Sequence, residues 1–251
     1  MTTIEQNYHI IEQELVAACL RAGRTPTDVR IVAVSKTVGP AEIEQAANAG
    51  ITDFAENRTS LFKQRIEAFP HLRWHFIGTI QTNKVRDFVG HAALVHSVAS
   101  ERALRAIDAR MGQSLKDACR VQESKDASAS PEVEGTNTTV TRQPVLIEVN
   151  VSGEASKDGI DPVGLEALLW TATTMKHISI EGLMTMAPLG DPSKARAVFS
   201  GLRELRDTLA FRFEGAENVR LFELSMGMTD DYPFAIEEGS TIIRIGRALW
   251  S

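Results

Sequence analysis

Apolar residues fall along the chain in two alternating patterns. Ile4, Tyr8, Ile11, Leu15, Ala18 and Cys19 recur at helical spacing and Gly23 follows as a stop, which predicts a first helix over residues 4–22. The next run, Ile31-Val32-Ala33-Val34, is short, continuous and β-branched, and it predicts a strand over 31–36 covered on both faces. The two patterns then take turns. Pro40 opens a second helix carrying Ile43, Ala46 and Ala47 and closed by Gly50. Strands are predicted over 51–56 and 73–77, with a helix to Phe69 between them and another starting near Asn83. A fourth strand covers 92–98, and Ser100 caps the helix after it, with Glu101 in the first turn. A fifth strand covers 144–150, with its proline at the first position, and a helix runs from Pro162 to Met175. The sixth strand is 178–186, followed by a long helix from Pro192 to Ala210. The seventh is 220–225, a short helix follows from Asp230, and the eighth, 241–245, runs into Gly246.

Residues 120–143 break this rhythm. Gln122 to Gln143 carries almost no large apolar side chain, and such a segment buries too little surface to offset the entropy of ordering, so it is expected to be a disordered loop insertion. It joins a helix to a strand and is therefore expected on the face opposite the strand-to-helix loops, far from an active site. Strands separated by helices imply a parallel sheet. Eight such units imply an α/β fold, a single TIM-type (β/α)8 barrel over 1–251 with an additional N-terminal helix and no second β-domain. The alternative, an open doubly wound sheet, would want a G-x-G-x-x-G fingerprint, and the chain has none.

Composition narrows the classes. A net charge of −6 argues against a nucleic-acid binder. Cys19 and Cys119, without CxxC or a nearby histidine, make neither a disulfide framework nor a zinc signature. The N-terminus does not read as a signal peptide, and no apolar stretch is long enough to span a bilayer. A cytoplasmic protein is expected, with no membrane or nucleic-acid partner, and a monomer.

The chemistry gathers at strand ends. Lys36 closes the first strand, and an amine cannot sit among Ile and Val side chains without a partner. Either it exits to water, or it is held partly desolvated at the mouth of a core, where it loses its proton more readily and can form a Schiff base with a carbonyl. In a (β/α)8 barrel, function sits at the C-terminal ends of the strands. Those ends are Lys36, Asn57, Gly78, Ser97, Asn150, Met184 to Met186, Ser225 and Gly246. Alternation along the last strand puts Arg244 on one face with Ile242 and Gly246; if Ile243 and Ile245 pack under the outer helices, Arg244 points into the barrel mouth. The loops Ser225-Met226-Gly227-Met228-Thr229 and Gly246-Arg247-Ala248 follow the last two strands, where barrels commonly bind phosphate with hydroxyls, backbone N–H groups and a helix start. A Schiff-base lysine facing a phosphate cradle describes a pyridoxal 5′-phosphate (PLP) site. His75 and His96 have no carboxylate or cysteine spaced with them and read as satisfied core or rim histidines; Lys84 reads as solvated.

The chain resembles the PLP homeostasis protein family (the YggS/PROSC family), whose fold is similar to the alanine racemase N-terminal barrel domain. The resemblance rests on Ala33-Val34-Ser35-Lys36-Thr37, Phe54-Ala55-Glu56-Asn57, Trp74-His75-Phe76-Ile77-Gly78 with Gln81-Thr82-Asn83-Lys84, and Val149-Asn150-Val151-Ser152. It continues through Lys157-Asp158-Gly159, Glu181-Gly182-Leu183-Met184, Leu224 to Asp231, and Gly239-Ser240-Thr241 with Arg244-Ile245-Gly246. It implies that Lys36 carries PLP as an internal aldimine and that Ser225, Gly246 and the backbone of Met226 and Gly227 hold the phosphate. Arg244 would face the pyridine nitrogen and Asn57 would line the ring. A guanidinium there only donates and weakens the ring as an electron sink. Ala55 stands where the family usually has glycine, Arg58 where it has tyrosine, and Arg247 where a small hydroxyl residue is common; Arg247 either contacts the phosphate or points to solvent. The resemblance implies a non-catalytic protein that stores, buffers or delivers PLP, with apo PLP-dependent enzymes as acceptors. The alternative is a racemase-like amino-acid enzyme. That chemistry needs a second base, and of the two tyrosines only Tyr232, after the phosphate loop, is a candidate.

Overall fold

The short, largely apolar runs become eight strands because each can bury both faces, one inside a ring of strands and one beneath helices. The computed structural model describes residues 1–126, 142–154 and 157–251. Its strands are β1 (Arg30–Val34), β2 (Asp53–Glu56), β3 (Arg73–Phe76), β4 (Leu94–Val98), β5 (Gln143–Glu148), β6 (Ile178–Met184), β7 (Val219–Ser225) and β8 (Ile242–Ile245). They pair in chain order, all parallel, and β8 closes on β1 with Val32 opposite Arg244 and Ala33 opposite Ile245. The helices are α1 (Thr3–Arg21), α2 (Pro40–Asn48), α3 (Thr59–Ala68), α4 (Glu101–Asp126), α5 (Pro162–Thr173), α6 (Pro192–Arg212), α7 (Tyr232–Glu237) and α8 (Arg247–Trp250). Among the described residues, no helix is long and apolar enough to cross a membrane.

The period-2 reading of the strands holds. Val32, Val34, Ala55, Leu94, Leu146, Met184 and Ile242 form a small cluster inside the barrel. Ala33, Phe54, Phe76, Ile147, Ile243 and Ile245 belong to the much larger outer core with Phe62, Leu104, Leu169 and Phe199 of the helices. Arg244, between Ile243 and Ile245, therefore faces inward and is buried. Helix α1 joins the outer layer through Ile4, Ile11, Leu15, Ala18 and Cys19, and its Asn7 Nδ2 donates to the carbonyls of Leu249 and Ser251.

Several boundaries differ from those expected. The connection after β3 is a 3-10 helix, Thr82–Asp87, and α7 begins at Tyr232 because the Asp231 carboxylate turns back to accept from the Met228 N–H. Helix α8 was not foreseen; its Trp250 Nε1 donates to the Val34 carbonyl at 2.7 Å. The two edges of the expected 120–143 loop are regular structure instead: α4 continues to Asp126, and Gln143 is a buried strand residue whose amide bonds Gly90 and Ala92. Residues 127–141 lie outside the described residues. Gln143 opens β5 at the end of the barrel away from the strand-to-helix loops.

Candidate functional site

The C-terminal ends of the strands surround a cavity of about 580 Å³. Its lining includes Lys36 after β1, Asn57 after β2, Ser97 of β4, Glu148 of β5, Met184 of β6, Met228 to Asp231 after β7, and Arg244, Gly246 and Arg247 of β8 and α8. Five of the eight predicted cofactor residues are thus brought together: Lys36, Asn57, Arg244, Gly246 and Arg247. Lys36 is exposed on the wall, two residues past β1, and Ser35 before it is buried and donates to the Ala55 carbonyl. Of the two positions open to it from the sequence, Lys36 takes the exposed one at the mouth. Arg58, also exposed, donates through Nη2 to the Lys36 carbonyl at 3.2 Å. Asn57 is placed by a close approach at Gly78, where a Cβ would stand 1.9 Å from the Asn57 carbonyl oxygen; only glycine admits that contact.

The other three lie beneath the cavity. Ser225 is fully buried at the end of β7, with its hydroxyl engaged by Arg244 Nη1 at 2.6 Å and His96 Nδ1 at 2.9 Å. The Met226 N–H donates to the Ile242 carbonyl at 3.1 Å, and the Gly227 carbonyl accepts from the Arg244 N–H at 3.0 Å. The reason is the length of the turn: Gly227 takes φ +94 and keeps the chain inside, so it emerges only at Met228 and Thr229. Thr229 is the hydroxyl of this loop that lines the cavity, and its Oγ1 accepts from the Ala248 N–H at 3.4 Å at the start of α8. The signal for it was the second hydroxyl of the same loop. Arg247 is exposed and pairs with Asp230 at 2.5 Å across the rim.

The cavity carries charge of both signs, with Lys36, Arg244 and Arg247 as its cations. Burial lowers Arg244 to about 10, opposed by Glu148 and Asp231, so it remains charged at neutral pH. Four carboxylates also line the cavity, which taken alone would repel an anion: Glu148, Asp158, Asp230 and Asp231. Burial, and then Asp158, raises Glu148 to about 7; burial also raises Asp231; Asp230 is paired with Arg247. Glu148 escaped the sequence reading, although it shares the inward face with Leu146. The donor set fits PLP: an amine for the aldehyde, a guanidinium for the ring nitrogen, and a hydroxyl with glycine and arginine for the phosphate.

Neither tyrosine joins this cavity. Tyr232 is buried and its phenol donates to Glu14 of α1, and burial together with Glu14 raises its pKa. Tyr8, raised to about 12 by burial and Glu12, lies near Asp53 at the opposite end of the barrel. His75 and His96 are fully buried and hydrogen-bonded, and no group of three metal-ligating side chains occurs among the described residues.

The barrel has known relatives. The family profile described as alanine racemase, N-terminal domain, matches residues 17–251. The pyridoxal phosphate homeostasis protein of Pseudomonas aeruginosa is 38% identical, covering 100% of this chain and 96% of that protein. Its counterpart in Aquifex aeolicus is 37% identical, covering 100% and 98%. The solved structure of PipY of Synechococcus elongatus PCC7942 with PLP bound superposes with a TM-score of 0.73 at 30% identity, covering 96% of this chain and 100% of that one. A barrel matched over its whole length by such relatives places the chain in the pyridoxal phosphate homeostasis protein family, within the wider alanine racemase N-terminal domain family.

Proposed function

We propose that this chain is a single-domain, cytoplasmic PLP-binding protein of PLP homeostasis that acts without catalysing a reaction of its own, storing the cofactor and releasing it to apo PLP-dependent enzymes, and that it works as a monomer. The observation that carries this reading is one cavity with the Lys36 amine on its wall and the buried Arg244 guanidinium facing the same space. When bound, PLP supplies an electrophilic aldehyde and a pyridine ring that can accept electrons. Lys36 holds the cofactor covalently as an aldimine. Thr229, Gly246 and Arg247 hold the phosphate, Arg244 donates toward the pyridine nitrogen, and Asn57 lines the ring. Ser225, Met226 and Gly227 serve from beneath by fixing Arg244 and the loop that carries Thr229.

Arg244 keeps its protons at neutral pH and only donates, so it leaves the ring nitrogen unprotonated and the electron sink weak. Racemisation would also need a second base opposite Lys36, and Tyr232 faces α1 instead. The exposed position of Lys36 keeps water at the mouth, which suits exchange of the cofactor over controlled carbanion chemistry.

The test is the visible absorption of the purified protein mixed with PLP, beside Lys36→Ala. A band in the wild type that the substitution removes is the expected result; an unchanged band in the variant refutes Lys36 as the PLP lysine. Exchange of the alanine α-proton in deuterated water, no faster with the loaded protein than with PLP alone, is expected for a carrier.

A further inference from the structure

Five polar side chains cross the barrel interior in mutual contact. Asp53 Oδ1 lies 2.9 Å from His75 Nε2, His75 Nδ1 2.9 Å from His96 Nε2, and His96 Nδ1 2.9 Å from Ser225 Oγ. Arg244 Nη1 lies 2.6 Å from the same Ser225 Oγ, and Arg244 Nη2 donates to the Thr185 carbonyl at 3.1 Å. The five come from β2, β3, β4, β7 and β8, and all are buried. The chain begins at the N-terminal end of the barrel, beside Arg30 and Arg73, and ends on the cavity floor.

The two ends fix every hydrogen between them. A guanidinium only donates and a carboxylate only accepts. The contact between the two imidazoles holds one hydrogen, so both rings cannot be imidazolium. With both neutral, each link has one donor and one acceptor. Arg244 donates to Ser225, Ser225 to His96 Nδ1, His96 Nε2–H to His75 Nδ1, and His75 Nε2–H to Asp53. With His75 as imidazolium the order reverses, His96 donates to Ser225, and the Ser225 hydroxyl accepts twice. Its own hydrogen is then buried with no acceptor among the described residues, at a cost of about 1–3 kcal/mol. Burial, with Arg30, Arg73 and Arg244 nearby, also lowers both rings below the usual histidine range despite Asp53.

We propose that Asp53, His75 and His96 are positioning residues for Arg244: a one-way hydrogen-bond chain anchored at the far end of the barrel turns the lone pairs of Ser225 onto the guanidinium and fixes its plane beneath the cofactor ring. The consequence at the ring rests on the PLP reading above; the direction of the chain does not. Nitrogen-15 NMR of the imidazoles, with no PLP added, tests the direction in the wild-type protein. Both rings are expected neutral at pH 7 with hydrogen on Nε2, and an imidazolium or an Nδ1–H on either ring overturns the proposal. Titration with PLP then tests the effect in wild type, Asp53→Asn, Ser225→Ala and the double variant. Each single substitution is expected to weaken binding about 3- to 10-fold and to shift the visible band, and the double to be no weaker than Ser225→Ala, because Asp53 acts through Ser225. Additive losses, or an Asp53→Asn protein that melts earlier while keeping the wild-type band and affinity, overturn it. If the wild type binds no PLP the cofactor reading fails, and the imidazole spectra alone decide the chain.

Discussion

The two ends of the barrel interior treat buried charge in opposite ways. At the N-terminal end, Asp53 has His75 at 2.9 Å, Arg73 at 3.6 Å and Arg30 at 3.8 Å, and Arg30 also reaches Glu223 at 3.6 Å. At the C-terminal end, Arg244 is held by a hydroxyl and a carbonyl, and among the described residues no carboxylate pairs with it. Glu148, on the same cavity, is raised to about 7 by burial and by Asp158. One end is neutralised and holds the fold. The other leaves a buried guanidinium with carboxylates nearby but none in direct contact among the described residues, which leaves it free to donate to a ligand.

The sharpest way to break this contrast is to remove the central charge from each end. Asp53→Ala leaves two arginines facing a buried histidine without an acceptor and is expected to cost about 3–5 kcal/mol in urea unfolding. Arg244→Met removes a buried cation that had no carboxylate partner and is expected to change stability by no more than about 1 kcal/mol, or to raise it, while PLP binding is lost. Equal losses from the two would erase the distinction.

The pH dependence separates the ends by sign. The Glu148 carboxyl holds its proton more tightly folded than unfolded, so the folded state binds more protons between 4.5 and about 7. Stability therefore falls as pH rises through that window, by about 3 kcal/mol for this group, and Glu148→Gln is expected to flatten that slope in thermal melts. Asp53 behaves oppositely. Burial would raise its carboxyl, but hydrogen bonds from His75 and Thr52 and the charge of Arg73 outweigh it and hold it below the usual range. Its contribution is complete above the unfolded value and is lost as pH falls through the folded one.

The smallest effect is expected at the rim. Arg247 and Asp230 form an exposed pair, so Arg247→Ala should change stability by less than about 0.5 kcal/mol. Its loss should weaken PLP binding a few-fold at low salt and less at high salt, as a screened contact does. A salt-independent loss would mean a direct, desolvated hydrogen bond instead.

What could be read in the chain beforehand follows the same division. Alternation along one strand located Arg244, and the end of one strand located Lys36, because both are properties of a local run. The Asp53–His75–His96–Ser225 contacts were invisible because the four residues sit on four strands, and nothing in their spacing records which strands become neighbours across a barrel. His75 and His96 could be read as satisfied, yet the carboxylate that satisfies them could not be found. The sequence does not show where a turn leaves the barrel: Ser225 is buried beneath the cavity, and past the left-handed Gly227 the chain reaches it at Met228 and Thr229. Glu148 was masked by its apolar neighbours, although its parity was available.

The indole of Trp250 is tied to the carbonyl of Val34, two residues before Lys36. Trp74 is buried in β3, and Trp170 is exposed on α5. The protein therefore carries its own optical gauge. Ultraviolet emission from Trp250 overlaps the violet absorption of a lysine-bound PLP chromophore, so loading should quench that tryptophan and release should restore it. Trp250→Phe is expected to reduce the signal, and cofactor traffic could be followed in real time without a label.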